Sequence, residues 1–141
     1  MKNFQRKILS VALGALFGAI AAYAYIELTS IKINVFFTND VHGRVFAKDG
    51  MGGAAALKNF LNKQNTNYLL LDAGDFFQGT PEGDLTDGET NIKIMNALGY
   101  NAATAGNHEF DKGKEQLIKL SQMANFPLLG ANVIDATTNS T

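Results

Sequence analysis

Gly106-Asn107-His108-Glu109-Phe110-Asp111 places an amide, an imidazole and two carboxylates within six residues. The stretch follows a small-residue run, Asn101–Ala105, that reads as a strand, and it precedes an amphipathic helix. The polar groups therefore collect at the carboxyl end of a strand, where open α/β sheets bind ligands. A purely structural turn needs only the glycine. Asp40-Val41-His42, after the apolar Ile31–Thr38, and Gly74-Asp75, after Tyr68–Leu71, occupy the same kind of position. His42 and Asp75 are 33 residues apart, and Asp75 and Asn107 are 32 apart. Each interval is about the length of one βαβ unit, so three successive strand ends deliver metal-type ligands to one edge of a sheet.

Hydrolysis of a phosphate ester at a dinuclear centre needs hard oxygen and imidazole ligands and one carboxylate able to bridge two ions about 3.5–4 Å apart. Asp40 and His42, one residue apart in an extended segment, can point at a single ion, and Asp75 at the next strand end is the natural bridge. Asn107 offers a neutral amide oxygen that ligates a second ion without adding charge that repels a phosphate. His108 diverges from its neighbour Asn107 and suits a different task, protonating a leaving alkoxide or stabilising the transferring phosphoryl group. Asp111, three residues on, can accept from the other ring nitrogen and raise the imidazole pKa. Glu109 and Phe110 read as supports for the loop. The chain has no cysteine, so any metal sits on oxygen and nitrogen donors, which suit Zn²⁺, Mn²⁺ and Fe alike.

The elements that must position these residues alternate along the chain. Ile31–Thr38 passes from alternation to a continuous apolar run, the pattern of a strand entering a buried parallel sheet. A loop over Arg44–Gly50 leads to a helix over Ala54–Lys63, a strand over Tyr68–Leu71, a loop over Phe76–Asp87 and a helix over Glu89–Leu98 that stops at Gly99. A third strand over Tyr100–Ala105, a helix over Lys112–Ala124 and a fourth strand over Phe126–Val133 complete the series. Strand and helix in this order predict a parallel sheet with right-handed crossovers. The Phe36-Phe37 pair is expected in the core. Phe76-Phe77 reads equally well as a wall of the site or a plug beneath its loop. Arg44 is expected in solvent, with a phosphate oxygen as its functional alternative. Asp84–Glu89 lacks the spacing of a calcium loop and reads as a solvated cap for the next helix.

With 141 residues, 46% apolar and 18% charged, the chain suits one globular domain. Its N-terminus departs from that composition. Lys2, Arg6 and Lys7 precede an uncharged stretch from Ile8 to Ile26, and Ala22-Tyr23-Ala24 fits the small-x-small rule for leader cleavage. Residues 1–24 are expected to be a signal peptide, with an uncleaved anchor as the alternative, and 25–141 the exported part. The product is periplasmic or extracellular, touching a membrane only through an uncleaved N-terminal segment. Without those three basic residues, nine Lys and Arg face 13 Asp and Glu, a net charge of −4. That sign argues against binding a nucleic-acid polymer.

Thr38-Asn-Asp-Val-His-Gly43, Gly74-Asp-Phe-Phe-Gln-Gly79 and Gly106-Asn-His-Glu-Phe-Asp111 resemble the first three motifs of the calcineurin-like metallophosphoesterases, in the branch of 5′-nucleotidases and UDP-sugar hydrolases. Phe126–Val133 is similar to the fourth strand of that branch. The resemblance implies an α/β fold, here the parallel-sheet half of a two-sheet α/β/β/α sandwich, incomplete in this chain. It implies two divalent metal ions, with Asp40 and His42 on the first, Asp75 bridging, Asn107 on the second, and His108 with Asp111 as the catalytic dyad. The implied substrate is a nucleoside 5′-monophosphate or related phosphate ester. The family takes further ligands from a later lone His and a Gly-His-x-His motif, whereas this chain has two histidines, both already used. We therefore expect an N-terminal portion of a longer hydrolase whose partner is its missing C-terminal half or domain. The alternatives are a truncated, non-catalytic secreted module, or a relative acting on 2′,3′-cyclic nucleotides, UDP-sugars or a sulfur-oxidation substrate.

Overall fold

The computed structural model describes residues 2–139, with the side chains at positions 2, 3, 6 and 7 excepted. The basic side chains of Lys2, Arg6 and Lys7 thus lie outside the described residues. The chain divides into two compact units, residues 1–32 and 33–141.

The first unit is built on one helix, α1 (Lys2–Thr29). Ala, Leu, Ile and Gly fill its central turns, and its segment Ile8–Thr29 is long and apolar enough to cross a membrane. Thr29 bonds back to the Tyr25 carbonyl at 2.7 Å, and Lys32 pairs with Glu27 at 2.9 Å just past the helix end.

The second unit runs β1 (Asn34–Thr38), α2 (Ala54–Leu61), β2 (Tyr68–Asp72), α3 (Pro81–Asp84), α4 (Glu89–Leu98), β3 (Ala102–Thr104), α5 (Lys114–Met123) and β4 (Leu128–Leu129). The four strands form one parallel sheet in sequential order, with Phe36 opposite Leu70, Leu71 opposite Ala102 and Thr104 opposite Leu129. The expected α/β alternation and parallel sheet are therefore present. β1, β3 and β4 are shorter than the apolar runs suggested, most of all β4, while β2 extends one residue further, to Asp72. The Phe76–Asp87 loop contains the short helix α3, started by Thr80, whose side chain accepts from the Gly83 N–H. In Arg44–Gly50, the expected loop closes into a two-residue turn at Asp49-Gly50, where Lys48 and Met51 exchange backbone hydrogen bonds of 3.0 and 2.9 Å.

The core lies on the helix-covered face, where Leu61, Leu70, Phe76, Phe77, Ile92, Met95, Leu98 and Leu120 are buried. Phe36 joins its edge through ring contacts with Phe60 at 5.1 Å and Tyr68 at 5.6 Å. Phe37, expected in the core, is instead 73% exposed, and Val35 beside it is also exposed. Sequential parallel strands with right-handed crossovers carry all their helices on one face. Alternate residues of β1 therefore point away from every helix of this unit, and a run apolar on both faces is buried on one. Phe76 and Phe77 resolve as plug rather than wall, at 2% and 0% exposure.

Candidate metal centre

The site is built where β1 and β2 stop pairing as strands but their loops continue to exchange hydrogen bonds. Asp40 N–H donates to the Gly74 carbonyl at 3.1 Å, His42 N–H to Asp75 at 2.9 Å, and Gly43 N–H to Phe76 at 3.0 Å. These bonds hold Asp40, His42 and Asp75 in the left-handed region, with φ of 54°, 49° and 56°. For a residue with a Cβ, that conformation costs about 1–2 kcal/mol. Strain of this kind, over-determined by surrounding bonds, is concentrated at functional sites.

The third loop is tied in by Glu109. Its side chain is fully buried and accepts the N–H groups of Asp75 at 2.7 Å, Phe76 at 2.9 Å and Gly106 at 2.7 Å. Burial raises its pKa above the ordinary 4.5, against those three bonds, which act to lower it. Asp75 Oδ1 in turn accepts the His108 N–H at 3.0 Å. Gly106 is required by close approach, because a Cβ there would fall on the Asp75 carboxylate.

His42, Asp75 and His108 each present a ligand atom within 4.8 Å of the other two. The imidazole rings of His42 and His108 meet edge to face, 5.2 Å between centroids. His42 Nδ1 lies 2.7 Å from the Gln78 carbonyl, which can only accept, so Nδ1 carries the proton and Nε2 keeps its lone pair. Asp40 Oδ1 is 3.4 Å from that Nε2, and its other oxygen accepts from the Asn39 amide. Behind His108, Asp111 Oδ2 lies 2.7 Å from Nδ1; this hydrogen bond is the main cause of a His108 pKa raised above 6.5. Asn107, exposed on the same loop, makes no side-chain hydrogen bond to a described residue. The donors are imidazole nitrogens and carboxylate oxygens, converging half-buried with one imidazole already oriented. This arrangement fits a divalent ion of the Zn²⁺, Mn²⁺ or Fe type.

A hydrogen-bonded chain beneath the site carried no motif in the sequence. Thr38 donates to Asp72 Oδ2 at 2.5 Å and accepts from the Tyr100 hydroxyl at 2.6 Å, while Asp72 Oδ1 accepts the Gly74 N–H at 2.9 Å. Burial raises the Asp72 pKa and pushes Tyr100 up to about 12. The chain links the carboxyl ends of β1 and β2 to the start of β3.

Residues 33–136 match the family model described as calcineurin-like phosphoesterase. The chain belongs to the calcineurin-like phosphoesterase family. Among curated members, the 5′-nucleotidase of Vibrio vulnificus is 42% identical over 118 residues, which are 78% of this chain and 21% of that protein. Protein UshA of Escherichia coli is 38% identical over 125 residues, 83% of this chain and 23% of that protein. The solved structure of the Haemophilus influenzae NAD nucleotidase NadN superposes with a TM-score of 0.65 at 34% identity, over 74% of this chain and 21% of that one. The chain thus spans about a fifth of the length of the curated phosphoesterases it matches. Its parallel sheet is consistent with part of the phosphoesterase fold.

Proposed function

We propose that this chain is the N-terminal part of an exported, metal-dependent hydrolase of nucleotide phosphate esters, with nucleoside 5′-monophosphates as the first substrates to test. The observation that carries the reading is the convergence of His42, Asp75 and His108 from three successive strand ends, with ligand atoms within 4.8 Å. The likeness to 5′-nucleotidases supports the substrate class. The apolar helix α1, beginning at the N-terminus, supports export or anchoring by residues 1–24.

Asp40, His42 and Asp75 would hold one divalent ion, and Asp75 and Asn107 would reach a second. When bound, such ions supply Lewis acidity at the phosphoryl oxygens and a nucleophile at neutral pH. The His42 hydrogen bond to Gln78 fixes the tautomer that leaves Nε2 available. Asp111 holds the His108 ring through Nδ1 and favours its protonated form, so Nε2 can give a proton to the departing nucleoside oxygen. Glu109, buried and carrying no free oxygen, keeps Asp75 in place.

The test is hydrolysis of AMP by the natural full-length protein and its His108→Ala variant. Loss of a proton donor is expected to lower kcat by about 10²–10⁴-fold. An unchanged kcat would overturn the role of His108, and absence of hydrolysis in both proteins would favour a binding module.

A further inference from the structure

Helices α2 and α4, the arm from Arg44 to Gly53 and the carboxyl ends of β1 and β2 line a cavity of about 400 Å³ on the helix-covered face of the sheet. None of Asp40, His42, Asp75, Asn107 and His108 belongs to its wall, so it is separate from the metal cluster. The volume falls in the range of small-molecule sites, about 300–1,000 Å³. Leu57 and Phe60 of α2 and Ile94, Met95 and Leu98 of α4 give it an apolar wall. At Gly52, on the arm, a Cβ would meet nothing within 4 Å.

Four other lining residues are polar and at least partly buried: Thr38, Asp72, Tyr100 and Asn91. The first three satisfy one another. The Thr38 hydroxyl donates to Asp72, so the Tyr100 hydroxyl, 2.6 Å from Thr38 Oγ1, donates to Thr38, and both hydroxyl protons are used. Asn91 is different. It is 3% exposed and its Nδ2 donates to the Phe76 carbonyl at 3.2 Å, but its Oδ1 is buried with no partner among the described residues. A buried acceptor left unpaired is costly, and buried polar side chains nearly always have a partner. The group this cavity leaves unsatisfied is therefore an acceptor, set in a largely apolar wall. Such a wall suits an apolar molecule better than a cluster of water, which needs several polar partners. The charged residues of the lining are Asp72, which disfavours an anion, and the exposed Arg44, which disfavours a cation.

We propose that this cavity binds a small, neutral, largely aromatic molecule carrying one hydrogen-bond donor, of the indole class, with the donor on Asn91 Oδ1. The apolar wall takes the ring and Asn91 fixes its orientation, the division of labour usual in small-molecule sites. The site is independent of the hydrolytic reading above.

The test is calorimetric titration of the natural full-length protein, and of its Ala54→Phe and Ile94→Phe variants, with indole and with indene, a hydrocarbon of the same shape that has no N–H. Ala54 and Ile94 both line the cavity and are half-buried, so the added rings fill it. Indole is expected to bind the unsubstituted protein about fivefold more tightly than indene, the scale of one hydrogen bond. That binding event is expected to disappear in each variant whose thermal transition shows it to be folded. Absence of indole binding, affinity no greater than that of indene, or binding that persists in a folded variant would overturn the site. If neither variant folds, the comparison of indole with indene in the unsubstituted protein decides. Each outcome reads the same whether or not the protein hydrolyses AMP.

Discussion

The Glu109 carboxylate accepts the backbone N–H of Asp75 at 2.7 Å, 34 residues away in sequence, and with the same oxygen the N–H of Gly106 at 2.7 Å. One buried acid therefore sets the distance between the loop that carries Asp75 and the loop that carries His108. Glu109 is three residues from Gly106 and one from His108, so the motif that supplies the imidazole also supplies its own clamp.

Replacing that acid tests the clamp. Glu109→Gln puts an amide NH₂ where an acceptor faces backbone donors, leaving at least one buried N–H unpaired at a cost of about 1–3 kcal/mol. Urea unfolding of the variant is expected to show that loss, and metal affinity measured by calorimetry is expected to fall with it. A variant with unchanged stability would show that the three bonds contribute nothing to the loop arrangement.

The His108–Asp111 contact fixes a pH dependence. Hydrogen bonding to Asp111 raises the His108 pKa above 6.5, so the folded protein keeps the proton at pH values where the unfolded chain has lost it. The stabilisation from this pair is fully present below about pH 6.5 and is lost as pH rises through the raised value. In metal-free protein followed by NMR, His108 is expected to titrate above 6.5, and Asp111→Asn is expected to move the midpoint down. A midpoint indifferent to that substitution would remove Asp111 from the dyad.

Much of this was legible in the sequence because the informative groups are local. The Asp-x-His, Gly-Asp and Gly-Asn-His-Glu-Phe-Asp stretches each lie within a few residues of a strand end, and the apolar runs mark those ends. Glu109 was readable as a loop support, though not its distant partners Phe76 and Asp75, which sit 33 and 34 residues upstream. The Thr38–Asp72–Tyr100 chain was invisible for the same reason, since it joins residues 34 and 62 apart that carry no shared motif. Phe37 misled because a strand's apolar pattern reports what both faces are suited to, while the helices of this unit cover one.

Tyr100 offers a check on that unforeseen chain. Tyr100→Phe removes the donor to Thr38 and is expected to cost about 1 kcal/mol in unfolding free energy. With the Tyr100 pKa pushed up to about 12, the difference between the ultraviolet titrations of the unsubstituted protein and Tyr100→Phe is expected to show one hydroxyl ionising well above the ordinary value near 10. A difference that ionises near the ordinary value instead would place the Tyr100 hydroxyl in solvent.

The central claim is that the strand-end cluster is a metal centre for phosphate-ester hydrolysis, and Asp75 accepts the backbone N–H of both His42 and His108. The most direct measurement is AMP hydrolysis by the natural full-length protein, stripped with a chelator and reconstituted with Zn²⁺ or Mn²⁺, alongside Asp75→Asn. We expect activity to vanish on stripping and return with the metal, and Asp75→Asn to fall by about 10³-fold or more, as loss of Lewis-acid and nucleophile-generating chemistry requires. Activity that survives both the chelator and the substitution would contradict the account.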